Sequence, residues 1–566
     1  MCVRAATGSP PAGFRHPCHI RCTSGKETHC PLQSDNTLLI TFHPTLRMAD
    51  TPDKPRYWLN KFRHELYGEV LPFWVKHSLD KENGGYFNCL HEDGTVFDFG
   101  KYVWLQGRQV WMLSKIYGEP DVSDVFLHQY APGVLSRETL LKGALLGATF
   151  LQKYAVREED GLVWFLLSKE GNPIQMQRKP WGACFYCMGL AELARVMPSG
   201  RAKEAAVFYR LAIDLFRIIL SWFDAPWLLG SKYGPGQPAT SSLAVPMILL
   251  NMCHEIKGML GEPDENEATP LRELAGDEDV VIYSMCQGKE LWCIDEIKKH
   301  IKYDQDGGIV KVLETVGVDG SELEGSGGRL VNPGHVIEAG WFLIQYSETI
   351  VRDEVRQMEI FELGRNITNW AYEIGWDSTY GGIFYFLDAG GFFSPMELEW
   401  DMKLWWPHSE ALISFAMAYH VSGNKRIALV KKLEGEKEKL VQLTERVEEE
   451  CTFLSRQETE EKMATLHAQT NEAKERWDGL QSSIDEMLNQ EQELWSRFQI
   501  VATYVMEHFK DTERGGEWYG YLNRQGELTQ RFKGGPYKGC FHVPRALWLV
   551  VGILEKLCQK ELTEGS

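Results

Sequence analysis

Three separated stretches combine histidine with carboxylate, arginine or tryptophan side chains, and these residue types could do chemistry. They are NPGHVIEAGW at 332–341, KLWWPHSEAL at 403–412 and KGCFHVPR at 538–545. Buried imidazole and carboxylate groups are costly unless they are paired or used. Histidine changes its charge near neutral pH, so it can act as a general acid or base. With indole walls beside them, such groups suit a hydroxyl-rich ligand the size of a sugar.

A repeated hairpin signal indicates which elements bring these stretches together. Acidic turns with glycines and short β-rich, often aromatic, runs occur at 80–94, 157–171, 303–320, 376–391 and 511–526. Glycine-containing turns between short β-rich runs predict β-hairpins. Apolar-periodic segments between the hairpins predict helices.

The glycines of these hairpins recur at multiples of about 75 residues. They are Gly85, Gly161, Gly307 and Gly381, with a weaker repeat near Gly234. One hairpin and about two helices per repeat predict an all-α fold, an (α/α)6 barrel with short β-hairpins between its helices. In such a ring, loops from distant repeats meet at one mouth, which would assemble the three stretches.

One spacing breaks the repeat, because the interval from Gly381 to Gly515 is nearly twice the period. The excess maps to 425–494, which is highly charged and carries apolar residues seven apart at Leu433, Leu440, Val447 and Leu454. This pattern predicts a coiled-coil-like helical insert. The insert could be a solvated helical protrusion or a site for a specific partner, or the segment could be an artefact of the gene model.

The remaining boundaries follow from composition. Residues 1–47 lack periodicity and predict a disordered leader, with Met48 as an alternative start. Within the leader, Cys18, Cys22 and Cys30 with His19 and His29 form only a weak zinc pattern, so no metal is expected. The barrel is predicted at 48–424 and 495–558, and residues 559–566 form a tail.

Bulk composition excludes several classes of protein. A formal net charge of -19 argues against a nucleic-acid surface. The sequence contains no apolar run of the roughly 18 to 20 residues that a membrane span needs. The 13 cysteines are scattered rather than framed, which favours a reduced, cytoplasmic protein.

Six motifs together resemble the N-acylglucosamine 2-epimerase family, over about 56 to 555 apart from the insert. They are KYVWLQGRQVW (101–111), LAVPMILLN (243–251), NPGHVIEAGWFL (332–343), GWDSTYGGIFYF (375–386), ELEWDMKLWWPHSEA (397–411) and KGGPYKGCFHVPR (533–545). The resemblance implies an (α/α)6 barrel, usually a homodimer, that interconverts N-acetylglucosamine and N-acetylmannosamine. It implies no metal and no required cofactor, with ATP or another nucleotide as an allosteric modulator.

Site residues follow from the same resemblance. It implies that His335 and His542 are the two catalytic histidines and that Glu410 and Arg108 line their pocket. Cys540 matches a cysteine linked to activity in mammalian members. Renin binding, a property ascribed to vertebrate members, has little support here. Stepping by seven from Leu243 gives Leu250, then Lys257 and Asp264, so no leucine zipper forms.

Inversion at C2 of a 2-acetamido sugar dictates what these residues would do. After ring opening, the proton α to the C1 aldehyde is removed, and the planar enolate is reprotonated on its opposite face. His335 and His542 suit the two opposing roles. Arg108 is the expected donor to the charge that develops on O1. Glu410 or Glu338 could orient a histidine or hold a sugar hydroxyl.

Supporting roles are expected for a second group of residues: Glu338, His408, Trp405, Trp406, Tyr102 and Cys540. Structural alternatives exist for several of them. His408 could be a satisfied core histidine, Cys540 a packing residue, and Arg108 a buried ion-pair partner.

Two other functions compete with the epimerase hypothesis. A glycoside hydrolase on the same toroid could use Glu338, Glu410 and Asp401, although the histidine motifs would then be unexplained. A non-catalytic, renin-binding-like interaction protein could keep the toroid and act through its helical insert.

Overall fold

The computed structural model describes residues 54–564 apart from 231–238, 262–276, 392 and 454–455. The leader, its zinc pattern and the repeat near Gly234 lie outside the described residues. The helices are α1 Pro55–His64, α2 Leu71–His77, α3 Val103–Gly118, α4 Asp124–Tyr130, α5 Arg137–Tyr154, α6 Trp181–Val196, α7 Ala202–Asp224, α8 Ala244–Leu260, α9 Asp277–His300, α10 Pro333–Thr349, α11 Glu354–Gly375, α12 Trp405–Phe453, α13 Arg456–His508 and α14 His542–Glu564. Shorter helical turns lie at Glu65–Val70, Ser199–Arg201, Pro226–Leu229 and Gly325–Gly328.

Within the described residues, six helices pack in order as an inner ring: α3, α6, α8, α10, α12 and α14, with α14 closing on α3. Each inner helix carries an outer helix, in the same order α5, α7, α9, α11, α13 and α1. The predicted (α/α)6 barrel is confirmed.

Sequence pattern explains which helices lie inside. Inner helix α6 is buried all round over residues 183–194, as expected for a helix that is apolar on every side. Outer helix α7 buries one stripe and exposes the opposite face. Inner helices also approach closely where glycine allows it, since a Cβ on Gly107 of α3 would lie 2.4 Å from the carbonyl oxygen of Phe185 in α6.

Short antiparallel strands join the helices. They are β1 Cys89–Leu90, β2 Val96–Asp98, β3 Lys101–Tyr102, β4 Leu166–Leu167, β5 Pro173–Gln175, β6 Thr240–Ser242, β7 Ile301–Tyr303, β8 Ile309–Val312, β9 Thr315–Gly317, β10 Leu330–Val331, β11 Leu387–Asp388, β12 Lys403–Leu404, β13 Tyr521–Leu522 and β14 Leu528–Gln530. The pairs are β1–β2, β3–β4–β5, β6–β9, β7–β8, β10–β11 and β12–β13–β14. The glycines of the predicted repeat adopt φ values between 68° and 84°, a conformation that favours glycine: Gly85, Gly161, Gly307, Gly381 and Gly515.

Buried lysines tie the turns to the starts of inner helices. Lys101, two residues before α3, places Nζ 2.7 Å from Asp80 Oδ2, and Lys403, two residues before α12, places Nζ 3.2 Å from Asp377 Oδ2. Both lysine side chains are fully buried. Removing one partner of a buried ion pair costs about 3 to 5 kcal/mol. Each pair therefore holds the residues just before an inner helix against the preceding hairpin turn.

The predicted insert is a long helical hairpin. Helix α12 has 49 residues and α13 has 53, and neither is interrupted at the predicted boundaries of 425 and 494. Ion pairs join the two helices, at 2.9 Å between Arg426 and Glu491 and at 3.1 Å between Arg476 and Glu436. Across the described residues, no helix is both long and apolar enough to cross a membrane.

Candidate active site

A cavity of about 900 Å³ lies at the amino ends of the inner helices. Its volume is within the range of small-molecule sites. Every inner helix contributes residues from its first eight positions: Trp104 and Arg108, Trp181 and Phe185, Met247 and Asn251, His335 and Glu338, Trp405 and Trp406, and His542 and Arg545. Because helix amino ends carry partial positive charge, this mouth favours ligands rich in oxygen.

His542 is oriented by a carboxylate behind it. Its Nδ1 lies 2.7 Å from Glu410 Oε1. Since a carboxylate accepts, the Nδ1–H of His542 donates to Glu410, and a neutral ring then keeps the lone pair of Nε2 for the cavity. Glu410 is fully buried and does not itself line the cavity.

Glu410 is in turn held by two further donors. Arg545 Nη2 lies 2.6 Å from Glu410 Oε1 and 2.7 Å from Glu338 Oε1. The indole N–H of Trp341 donates to Glu410 Oε2 at 2.8 Å. Oxygen and nitrogen atoms of Glu338, Glu410 and His542 lie within 4.8 Å of one another, and the cation that these two carboxylates share is the Arg545 guanidinium.

His335 has a separate carboxylate partner. Asn332 caps α10 by accepting the backbone N–H of His335 at 3.3 Å, with Pro333 at the first helical position. The side chain of His335 then places Nδ1 3.0 Å from Glu314 Oε2. The two histidines therefore have the same arrangement, in which a carboxylate accepts a hydrogen bond from Nδ1.

Their electrostatic surroundings differ. Burial opposes charge on His335, but Glu314, supported by Glu338 and Glu410, raises its pKa above the ordinary 6.5. Burial lowers the pKa of His542 well below that value, and the cations Arg108 and Arg545 lower it further. The pKa values of the two rings are therefore shifted in opposite directions, so His335 keeps its proton to higher pH than His542 does.

Trp406 lies beside both histidines. Its ring centroid is 5.2 Å from that of His335 and 5.8 Å from that of His542. The Tyr385 ring packs edge-on against the same indole at 6.1 Å. Trp406 thus forms part of the cavity wall close to both imidazoles.

Arg108 lies between aromatic rings. Its guanidinium carbon is 4.0 Å from the Phe185 ring centroid and 4.6 Å from those of Trp104 and Phe541. Burial lowers its pKa to about 9, which leaves it cationic at neutral pH. The structure gives Arg108 no ion-pair partner among the described residues, and its Nε–H has no acceptor there, so the ion-pair alternative is not observed.

Three predicted supporting residues do not line the cavity, and the expectation for them is corrected. His408 is fully buried, with Nδ1 2.6 Å from the Leu404 carbonyl oxygen and Nε2 accepting the Ile383 N–H at 2.8 Å. Burial lowers its pKa to about 3, so it is a neutral structural histidine. Tyr102 packs against neighbouring side chains, and Cys540 is fully buried, which raises its thiol pKa well above 9.0.

Sequence reasoning missed Glu314, Arg545 and Asn251. Arg545 carried a usable signal, because it follows His542 by three residues and so shares its helix face. Asn251, which is 6% exposed and lines the cavity, lay inside a quoted motif. Glu314 lies between β8 and β9 and carried no such signal.

An (α/α)6 barrel with two carboxylate-bound histidines at a sugar-sized cavity defines a class of enzyme suited to moving protons on a sugar. Comparisons agree with this class. The N-acylglucosamine 2-epimerase (GlcNAc 2-epimerase) family model matches residues 311–435. N-acylglucosamine 2-epimerase from Bos taurus is 35% identical over 507 residues, which is 89% of this chain and 93% of the relative. The one from Homo sapiens is 34% identical over 89% and 91% of the two chains.

Solved structures support the fold. Cellobiose 2-epimerase from Bacillus thermoamylovorans B4167 superposes with a TM-score of 0.57 at 18% identity, over 88% of this chain and 99% of that one. The identities to the Bos taurus and Homo sapiens relatives are high and extend over most of both chains. The chain belongs to the N-acylglucosamine 2-epimerase family and is an isomerase.

Proposed function

We propose that this protein interconverts N-acetyl-D-glucosamine and N-acetyl-D-mannosamine by inverting C2. The observation that carries the proposal is the pair of histidines that line the cavity beside Trp406. Each is held through Nδ1 by a carboxylate, and their pKa values are shifted in opposite directions. The similarity to enzymes named N-acylglucosamine 2-epimerase supports this class of substrate.

The reaction begins with ring opening, which frees the C1 aldehyde and makes the C2 proton acidic. A neutral histidine takes that proton through Nε2, and the electron pair moves into the enolate. The cationic histidine then gives its own proton to the opposite face of C2. One proton is taken and one is given, so the sugar changes only its configuration. The reverse reaction exchanges the two roles.

Charge on O1 rises as the enolate forms and needs a fixed donor. Arg108 fits this role, because its guanidinium is cationic, held by three rings and free of other acceptors among the described residues. A donor that is already in place does not reorganise when the charge appears. Trp405 and Trp406 would supply apolar walls to the sugar.

A hydrolase is disfavoured by the state of the carboxylates. Glycoside hydrolysis needs two carboxyl groups that face the substrate. Glu410 is buried behind His542, and Glu338 accepts a hydrogen bond from Arg545. Asp401 does not line the cavity. A purely non-catalytic role would leave both histidine–carboxylate pairs without use.

Further expectations from the family resemblance form part of the proposal. They are a homodimer, ATP or another nucleotide as an allosteric modulator, and a cytoplasmic location. Renin binding has only the family resemblance behind it and is not included.

Isotope exchange tests the function. N-acetylmannosamine is incubated with the protein in deuterated water, and the C2 position of both epimers is followed by NMR. We expect deuterium at C2 of the N-acetylglucosamine that forms. His335→Asn and His542→Asn should each lose turnover by at least about 100-fold, the usual contribution of a general acid or base. His128→Asn, at an exposed position outside the cavity, is the matched control. No exchange in the parent protein, or unchanged turnover in folded His335 and His542 variants, would refute the proposal.

A further inference from the structure

Glu314 contacts a cavity residue, His335, but does not lie on an inner helix. It lies between β8 and β9, and its backbone is fixed on both sides. The N–H of Glu314 donates to the Leu330 carbonyl at 2.9 Å, and its own carbonyl accepts the N–H of Leu243 at 2.9 Å. Leu330 lies in the strand that leads into α10, and Leu243 immediately precedes α8. The position of Glu314 is therefore set by the same segments that start two inner helices.

The carboxylate of Glu314 serves one histidine. Its side chain is 12% exposed, and Oε2 lies 3.0 Å from His335 Nδ1. Among the described residues, the structure records no other ion pair for Glu314 and no other hydrogen bond for its carboxylate. Glu410 differs, because it shares its charge among His542, Arg545 and Trp341. The two histidine–carboxylate pairs thus have the same geometry, but Glu410 shares its negative charge with other donors and Glu314 does not.

We propose that Glu314 is a positioning residue that orients His335 and stabilises its imidazolium, so that His335 and not His542 carries the proton in the resting enzyme. This inference rests on the proposed two-histidine epimerisation. When the ring is charged, a carboxylate that accepts from Nδ1 leaves Nε2–H free to donate, as an acid must. An unshared carboxylate at 3.0 Å also favours the charged ring.

Other groups around His335 contribute less directly. The charged and titratable groups around it are Glu314 from the β8–β9 segment, Glu338 on its own helix, Glu410 on α12 and His542 on α14, and Tyr385 on the loop after α11 lines the same cavity. Only Glu314 is hydrogen-bonded to the His335 ring among the described residues. Removing this carboxylate should therefore have the largest effect on the protonation of His335.

Glu314→Gln keeps the shape of the side chain and removes its charge. We expect kcat to fall about 10- to 100-fold, the loss seen when the hydrogen-bond partner of a metal-bound imidazole is removed, with KM changed by less than about threefold. The alkaline limb of the kcat/KM profile should move to lower pH by about one unit or more, the effect of losing a nearby opposite charge. Both directions must lose kcat/KM equally, because their ratio equals the equilibrium constant.

Two further variants separate positioning from mere structure. Glu314→Asp keeps the charge and should restore part of kcat and most of the pH profile. Glu296→Gln changes a glutamate with a side chain 11% exposed, paired with Lys299 and outside the cavity. This control should leave the pH profile where it is. A loss of kcat in Glu314→Gln without a shift of the alkaline limb would show a structural role only and would overturn the proposal.

A direct titration keeps this inference separate from the proposed function. The protein is labelled with ¹³C at histidine Cε1, the His335 signal is assigned with His335→Asn, and its pKa is measured by NMR. We expect this pKa to be lower in Glu314→Gln than in the parent. An unchanged pKa refutes the role of Glu314 even if the enzyme is an epimerase. A lowered pKa, with His335→Asn fully active, would instead refute the proposed function.

Discussion

Replacing Glu410 by glutamine would change the most heavily engaged carboxylate of the site. Glu410 Oε1 accepts from His542 Nδ1 and Arg545 Nη2, and Oε2 accepts from the Trp341 indole. An amide offers one acceptor and one donor group. Either orientation of the new amide therefore places its NH₂ against an existing donor, at His542 and Arg545 or at Trp341.

The loss in activity follows from the tautomer of His542. If the NH₂ group faces Nδ1, the ring must accept there and carry its proton on Nε2, where it cannot act as a base. Inverting the tautomer of a catalytic histidine in this way can cost about 10⁴-fold in kcat. Loss of one general acid–base group costs about 10² to 10⁴. We expect kcat of Glu410→Gln to fall by about 10² to 10⁴.

The loss in stability should be smaller than for a fully unpaired buried charge. Arg545 keeps its 2.7 Å contact with Glu338, so it is not left without an anion. We therefore expect destabilisation of about 1 to 3 kcal/mol, the range for one unsatisfied buried hydrogen-bonding group. Abandoning a buried charge would cost about 3 to 5 kcal/mol.

The assay combines epimerisation, followed by NMR, with urea unfolding of the same preparations. Glu491→Gln is the matched control, because Glu491 is also buried and paired with an arginine, Arg426, but lies in the helical hairpin outside the cavity. It should lose stability without losing kcat. A folded Glu410→Gln variant with kcat within about threefold of the parent would refute the role given to Glu410.

Three further predictions follow from the structure. The kcat/KM profile should be a broad bell, because activity needs neutral His542 and protonated His335. The acid limb should lie below pH 6.5 and the alkaline limb above it, and two limbs on the same side of pH 6.5 would contradict the assignment. His408→Leu should destabilise the fold by about 1 to 3 kcal/mol for each backbone group it leaves unsatisfied, measured by urea unfolding, while kcat of the folded variant changes less than about threefold. The outer part of the helical hairpin, 437–475, can be replaced by a short Gly-Ser linker that begins just beyond the Glu436–Arg476 ion pair. This replacement should leave kcat unchanged. A folded but inactive variant would show that the hairpin is needed for activity.

Much of the fold was predictable, because each repeat carries two sequence signals, a glycine-containing hairpin turn and apolar helical segments. The hairpin turns need a residue with positive φ, and this conformation favours glycine, as at Gly85 and Gly381. The turns can therefore be recognised in the sequence. The apolar inner helices between such turns then had to form a ring. The lengths of α12 and α13 were less predictable, since the insert extends one inner and one outer helix of the barrel without a break in the sequence pattern.

The helix-borne part of the site was predictable from motifs, whereas the orientation and partner of each residue were not. His408 and Glu410 are two residues apart on α12, which places them on different sides of the helix. One is held by backbone groups and the other by His542. Glu314 could not be found, because its approach to His335 depends on how β8 and β9 meet the ends of two distant helices.

Charge around the cavity explains why two similar histidines differ. The cavity lies at helix amino ends and contains the cations Arg108 and Arg545, which disfavour a second positive charge at His542. Glu410 could offset them, but its Oε1 is shared with Arg545. The unshared carboxylate of Glu314 therefore favours an imidazolium at His335 more than the shared carboxylate of Glu410 does at His542. A reaction that takes a proton on one face and gives one on the other needs this difference between its two histidines.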